Sequence, residues 1–114
     1  MIRIRKITVL VFCLSSLLLT VSFAHPPWKI TIETRGKDIE VTVYHEVADP
    51  EEHYIERIDV YLNGIRHADM EFSTQTDDLQ IVRLSLPPLK KGDFIDVMAF
   101  CNRGGELIEN LTVE

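Results

Sequence analysis

The sequence predicts an all-β domain, an immunoglobulin-like sandwich of about seven antiparallel strands, preceded by an N-terminal signal peptide. Beyond residue 24, apolar and polar residues alternate at period two in short runs. Most of these runs end at a turn signal built from Gly, Pro or Asn. No helical period competes over a useful length. Such a pattern fits two packed antiparallel sheets, with a small barrel as the alternative.

The first 24 residues are predicted to be a secretory signal peptide. Three basic residues among the first six precede an apolar run without charge at 7–21, and Ser22-Phe23-Ala24 resembles a cleavage site. An uncleaved membrane anchor is the alternative, although about 15–18 apolar residues are few for a span. A lipoprotein would use Cys13, but Phe12 before it is bulky for such a site. We expect an exported protein, periplasmic or secreted, with residues 25–114 as its domain.

The first four strands of that domain are predicted from alternation and turn chemistry. WKITIE at 28–33 and IEVTVY at 39–44 both alternate, and RGKD between them predicts a hairpin. The third strand, at 54–62, is followed by Asn63-Gly64, a strong turn dipeptide. A weaker fourth strand covers about 68–72.

The last three strands follow the same logic. Residues 79–86 alternate and stop at Pro87-Pro88, because proline cannot donate to a sheet ladder. The turn KKGD leads into a strand at 94–101, and Gly104-Gly105 makes the turn before the final strand at 107–113. A chain of this size buries only a small core, so a bound metal would help to stabilise it.

The charge of the domain limits its partners. All 18 acidic residues lie in 25–114, whereas three of the 12 basic residues lie before it, which leaves a formal charge of −9 with histidine neutral. We therefore expect no binding to nucleic acid through bulk electrostatics. We expect membrane association only through an uncleaved signal anchor, and the sequence does not indicate an oligomeric state.

Cys101 is the single cysteine of residues 25–114. Export usually leads to an oxidising compartment, where an odd cysteine forms an intermolecular disulfide, stays as a buried inert thiol, or binds a metal. The sequence leaves these three alternatives open.

Three histidines are candidate partners of that thiol. His45 ends the second predicted strand and His53 precedes the third, so both can point to one end of the sandwich. His25 would be the first residue after cleavage, whereas His67 is expected at the surface. Imidazoles with one thiolate suit zinc, copper or iron.

Three segments together resemble the iron-binding domain of desulfoferrodoxin and superoxide reductase. They are HPPWKI, VTVYHEVADPEEHYIERIDVYLNG and KKGDFIDVMAFCNRGG, and with them the resemblance covers nearly all of residues 25–114. The most specific parts are EEHYIERIDVYLNG and the strand end at Cys101-Asn102. The family's fold is an immunoglobulin-like sandwich, which agrees with the strand pattern.

The resemblance implies a ferrous iron site that reduces superoxide to hydrogen peroxide by one-electron transfer. In that family four histidine nitrogens lie in a plane, one cysteine sulfur is axial, and the sixth position is open. Carried over by position, His25, His45 and His53 match three of the histidines, and Cys101 matches the axial cysteine. No rubredoxin-like cysteine cluster accompanies the domain, so the resemblance implies an external electron donor.

The fourth histidine of the family motif is missing. Where the motif reads Cys-Asn-x-His-Gly, this chain has Gly104 in the place of the histidine. One hypothesis is that cleavage after Ala24 frees the α-amine of His25 as a replacement nitrogen ligand. Two further hypotheses remain: a zinc or copper site built from the same residues, and a partner-binding sandwich without metal or catalysis.

Overall fold

Seven β-strands form the part of the chain that the computed structural model describes, residues 25–114. Residues 1–24, with the predicted signal peptide, lie outside the described residues. Within 25–114, no helix has the length and apolarity needed to cross a membrane. The strands are β1 (Lys29–Arg35), β2 (Asp38–Tyr44), β3 (Ile55–Leu62), β4 (Ile65–Glu71), β5 (Leu79–Ser85), β6 (Phe94–Cys101) and β7 (Glu106–Thr112).

The strands form two antiparallel sheets, which confirms the predicted all-β sandwich of seven strands. One sheet has three strands in the order β1-β2-β5, and the other has four in the order β4-β3-β6-β7. The predicted hairpin is present, with Arg35 paired to Asp38 across a tight turn in which Gly36 has a φ of 67°. Glycine adopts this left-handed conformation without the steric cost of a Cβ.

The core lies between the two sheets and is built almost entirely from β-branched and leucine side chains. On β2, Ile39, Val41 and Val43 are fully buried, and on β3 Ile58 and Val60 are likewise buried. Branched side chains pack well on a pleated surface. Truncation of one of them, such as Ile58→Ala, is expected to cost about 2–5 kcal/mol, because it leaves a cavity as well as losing burial.

The fourth strand begins earlier than the alternation predicts, at Ile65 rather than near residue 68. It is an edge strand, and its first three residues, 65–67, are all exposed, so no apolar alternation marks them. A register shift between Val60 and Tyr61 further disturbs the pairing of β3 with β4. This disruption is typical of a bulge that bends an edge.

The two sheets bring three strand ends to one end of the sandwich. Ile55 at the start of β3 pairs with Cys101 at the end of β6. In the other sheet β2 ends at Tyr44, and the next residue, His45, is hydrogen-bonded to the loop before β5 through its amide and the Asp78 carbonyl, at 2.8 Å. The candidate residues therefore belong to connections that meet at this end.

Candidate metal centre

The side chains of His25, His45 and His53 converge at this end of the sandwich. Each offers a ring nitrogen, and these three atoms lie within 4.8 Å of one another. The ring centroids of His45 and His53 are 4.7 Å apart, and that of His25 is 5.4 Å and 5.2 Å from them. Within 25–114, this is the group of three or more metal-ligating side chains that the structure brings together. His67 is exposed on β4, as expected.

Cys101 lies directly beside this cluster. Its Sγ is 3.1 Å from His53 Nε2 and accepts a hydrogen bond from the amide of Arg103 at 3.3 Å. Neighbouring ligands at right angles, with metal bonds of about 2.1 Å to nitrogen and about 2.3 Å to sulfur, lie about 3.1 Å apart. In the structure this contact is a hydrogen bond to one of the three ring nitrogens, and its length also fits two neighbouring ligands of one metal ion.

The four candidate residues differ in how far they are buried. Cys101 is 3% exposed and His45 is completely buried, whereas His53 is half-buried and His25 is exposed. The histidine at the end of β2 is therefore not the solvated side chain that strand ends usually carry. The cluster has a closed inner side at Cys101 and His45 and opens to solvent at His25. A small molecule can reach the open side.

Gln75 holds His45 in place. The Oε1 atom of this buried amide lies 2.9 Å from His45 Nδ1, and its Nε2 donates to the His45 carbonyl at 2.7 Å. A ligating histidine usually bonds to a carbonyl or carboxylate through its other ring nitrogen, which fixes the tautomer and the ring orientation. Gln75 supplies that contact and leaves His45 Nε2 facing the cluster.

Asn102 holds His53 against Cys101. Its Oδ1 accepts the amide of Tyr54 at 2.9 Å, and its Nδ2 donates to the carbonyl of Glu52 at 3.1 Å. Its own amide donates to the Tyr54 carbonyl at 3.0 Å. Three hydrogen bonds thus join the residue after Cys101 to both neighbours of His53. The His53–Cys101 contact rests on this connection between a loop and a turn.

The first histidine belongs to a segment that is fixed from two sides. Trp28 donates its amide to the Tyr44 carbonyl at 3.0 Å, which joins the segment to the end of β2. Pro26 packs against Gly105, where a Cβ would lie 2.9 Å from the Cβ of the proline. A glycine is therefore required at 105 for this close approach. The carbonyl oxygen of His25 lies 2.7 Å from His45 Nε2.

The electrostatics of the cluster favour neutral imidazole at His53. Burial lowers the pKa of His53, and repulsion from His45, Arg103 and His25 lowers it further. A neutral imidazole has a free lone pair at physiological pH, whereas a protonated one cannot bind a metal. Metal binding at His53 therefore requires little or no proton release near pH 7.

The residue types in the sequence indicate the four candidate side chains but not the two residues that hold them. Gln75 lies in the polar connection between β4 and β5, where nothing in the local sequence distinguishes it from its neighbours. Asn102 could have been found from the sequence, because the Cys101-Asn102 strand end is one of the specific parts of the resemblance. Its residue type alone does not indicate what it does.

A cavity beside the start of β3 has a different character. It is lined by Tyr54, Glu56, Arg57, Glu71 and Phe72, and it includes none of the four candidate residues. The lining has two carboxylates and one guanidinium but no imidazole or thiol. The donor set of the histidine cluster is therefore the better candidate site.

Comparison with known proteins places the fold. No protein-family model matches the chain, and no curated protein matches it. The crystal structure of a superoxide reductase in the oxidized state matches with a TM-score of 0.51 and 19% identity, over 79% of this chain and 88% of that one. A superoxide reductase (neelaredoxin) from Ignicoccus hospitalis matches with a TM-score of 0.50 and 20% identity, over 79% and 81%.

A hypothetical protein from Pyrococcus horikoshii OT3 is similar to the same extent, with a TM-score of 0.52 and 18% identity, over 79% of this chain and 87% of that one. At this level of identity the likeness establishes the architecture. The resemblance seen in the sequence is therefore matched by the structure, and residues 25–114 have the fold of the superoxide reductases.

Proposed function

We propose that this chain is an exported protein that binds one ferrous ion through His25, His45, His53 and Cys101, and that the site reduces superoxide. The observation that carries the proposal is the convergence of three imidazole nitrogens within 4.8 Å, beside a thiol sulfur 3.1 Å from one of them. Imidazole suits iron, and the thiolate completes the donor set. The superoxide reductase fold of the neighbours supports this choice of metal and substrate.

Ferrous iron, when bound, supplies the one electron that converts superoxide, with two protons, to hydrogen peroxide. The protein's part is to hold the donor atoms. Gln75 orients the His45 ring through its contact with Nδ1, so that Nε2 is the nitrogen on the side of the cluster. The amide of Arg103 donates a hydrogen bond to Cys101 Sγ, and such a donor would stabilise the negative charge of a thiolate ligand. The exposed position of His25 leaves the open side to superoxide or another small oxidant.

An external electron donor completes the cycle in this proposal. An iron ion held here would need one electron returned after each turnover, and Cys101 is the single cysteine of residues 25–114. An iron–sulfur or rubredoxin-like cluster held by this domain alone is therefore excluded, because such clusters use several thiolates. A donor protein or a small reductant must return the electron.

Zinc is the second candidate metal. Three imidazoles and one thiolate also satisfy a tetrahedral zinc site. Copper suits the same donors. A sandwich without metal that binds a partner remains the alternative from a different class, and the metal content of the purified protein decides among these functions.

The test is metal analysis of protein purified without oxygen from cells that express the full chain. We expect about one iron per chain and, after oxidation, a visible sulfur-to-iron band that is lost in Cys101→Ser. His67→Gln is the matched control, because this histidine is exposed and outside the cluster, and it should keep both the iron and the band. Bound zinc or copper would reassign the metal, and a chain that takes up no added metal would overturn the proposal.

We also propose that residues 1–24 direct export and are removed. The basic start, apolar run and small residues at the cleavage site support this proposal. Mass spectrometry of the protein recovered from an exporting host should give an N-terminus at His25. A chain that retains residues 1–24 and stays with the membrane would show an uncleaved anchor instead.

A further inference from the structure

We propose that an exposed aromatic patch beside the metal centre is the docking surface for the electron donor, and that this donor is a small protein with an apolar contact surface and an acidic rim. The aromatic patch consists of Trp28, Lys29, Tyr44, Leu79 and Ile81. The inference rests on the proposed function, because a centre that reduces superoxide needs a donor to return one electron.

The aromatic patch lies on the outer face of the three-stranded sheet. Tyr44 pairs with Lys29 on β1 and with Leu79 on β5. Val43, the residue before Tyr44, is fully buried in the core, so Tyr44 and its two partners face outward. Trp28 directly precedes β1, and its ring lies 5.6 Å from the Tyr44 ring, measured between centroids. The two rings therefore form one continuous surface.

The patch exposes large apolar side chains near the metal centre. Trp28 is 61% exposed, and Ile81 on the same outer face is 41% exposed. The other large apolar side chains exposed within 25–114 lie elsewhere: Ile65 and Phe94 begin β4 and β6 at the opposite end of the sandwich, and Ile108 belongs to the other sheet. Tryptophan and tyrosine are enriched in the buried parts of protein interfaces. The apolar surface nearest the metal centre thus has the composition of an interface.

Short covalent and hydrogen-bonded routes join the patch to two of the candidate ligands. The amide of Trp28 donates to the Tyr44 carbonyl at 3.0 Å, and Tyr44 is followed directly by His45. Trp28 is also only three residues from His25. The electronic coupling that moves an electron weakens steeply with distance, so a donor seated here is close to the metal. The donor loses one electron and the metal gains it, and no bond forms or breaks.

The charge of Lys29 indicates the chemistry of the partner. Its ammonium nitrogen lies 5.9 Å from the centre of the Trp28 ring and 5.4 Å from that of Tyr44. Among residues 25–114 no carboxylate pairs with it, whereas farther along the same face Arg83 Nε lies 2.6 Å from Glu40. The formal charge of −9 repels acidic groups over most of the domain. An unpaired cation on the patch therefore orients a partner with an acidic rim toward the metal centre.

The fluorescence of Trp28 tests the docking directly, because it is the single tryptophan of the sequence. The probe is an acidic, two-iron ferredoxin of the plant type that contains no tryptophan. It is added to metal-free protein from cells that express the full chain. We expect saturable quenching of the Trp28 emission by the iron–sulfur cluster, with an affinity that falls as salt is added. Cytochrome c, a basic one-electron carrier, is the control of opposite charge and should bind more weakly.

Two pairs of variants locate the surface, with calorimetry as the measurement of ferredoxin affinity. Trp28→Ala should weaken binding by roughly 10-fold or more, as aromatic residues at the centre of an interface do. Ile65→Ala is its control, because this side chain is 65% exposed at the opposite end of the sandwich. Lys29→Gln should weaken binding about 3-fold at low salt and reduce its salt dependence. Lys37→Gln, an exposed lysine in the β1–β2 turn, should change neither.

The outcomes separate this inference from the proposed function. Absence of saturable quenching, tighter binding of cytochrome c, or equal affinities of Trp28→Ala and Ile65→Ala would overturn the docking surface and leave the metal centre intact. Ferredoxin binding to a chain that takes up no added metal would overturn the proposed function, and with it the redox role of the patch. A blue shift of the Trp28 emission when the protein alone is concentrated, or when phosphatidylcholine vesicles are added, would assign the patch to a second copy or to a membrane and overturn the donor.

Discussion

Replacement of Gln75 by methionine is expected to destabilise both the fold and the proposed metal centre. The two side chains have similar length, so the change removes hydrogen bonds and creates little empty space. The amide makes four bonds, to the Ile55 amide, His45 Nδ1 and the carbonyls of His45 and Asp77. At about 0.5–1.5 kcal/mol each, their loss amounts to roughly 2–6 kcal/mol. A 90-residue domain has a total stability of about 5–13 kcal/mol.

Urea unfolding of the metal-free protein measures this loss. A loss of about 4 kcal/mol lowers the unfolding midpoint by roughly 1–4 M. Gln80→Met is the control, because the amide of Gln80 makes a single bond, of 3.4 Å, to the adjacent Ile81 carbonyl. Zn²⁺ affinity should fall about 10–100-fold in Gln75→Met, since His45 loses the partner that fixes its tautomer. Equal midpoints and equal affinities for the two variants would refute this account of Gln75.

Three further predictions concern the His53 side of the cluster. The pKa of His53 in the folded protein lies below the ordinary 6.5, so the metal-free fold should be most stable above pH 6.5 and should lose stability as the pH falls through that value. Urea midpoints measured at about pH 7.5 and about pH 5.5 test this. The difference between the two midpoints should be smaller in His53→Gln. Arg103→Gln should raise the pKa of His53 by removing a nearby positive charge, and an unchanged NMR titration of the imidazole would contradict this. Asn102→Ala removes two side-chain hydrogen bonds, to Tyr54 and Glu52, so it should lower the free energy of unfolding by about 2 kcal/mol. It should also speed alkylation of the buried Cys101 thiol. An unaltered alkylation rate would show that Asn102 does not hold the turn closed.

Local alternation was sufficient to predict most of the fold. Strands β2, β3 and β6 have one face in the core, so their apolar residues recur at every second position and mark the element. The start of β4 escaped because an edge strand with both faces exposed leaves no such pattern. The strand pattern also predicted that His45 and His53 can point to one end of the sandwich, because one loop joins the end of β2 to the start of β3. The pairing of β3 with β6 brings Cys101 to the same end.

The candidate ligands could be named from the sequence because their side chains carry the chemistry themselves. The residues that position them could not, since their role depends on contacts across long sequence separations. Gln75 is 30 residues from His45, and Asn102 is 50 residues from Glu52. A glutamine in a polar loop has the same local sequence signature whether it is solvated or fully buried. Only the packing of β2 against the loop before β5 distinguishes the two.

The graded burial of the cluster separates the parts of the site that the sandwich builds from the part that is added to it. Cys101, His45 and His53 are fixed by strand ends, by Gln75 and by Asn102, so their geometry forms with the fold and costs little further entropy when metal binds. His25 is exposed, and it comes from the segment before β1, which is held through Pro26 and Trp28. We therefore expect two contributions to metal affinity. One comes from Cys101, His45 and His53, whose positions form with the fold, and the other comes from His25, whose position depends on the N-terminal segment.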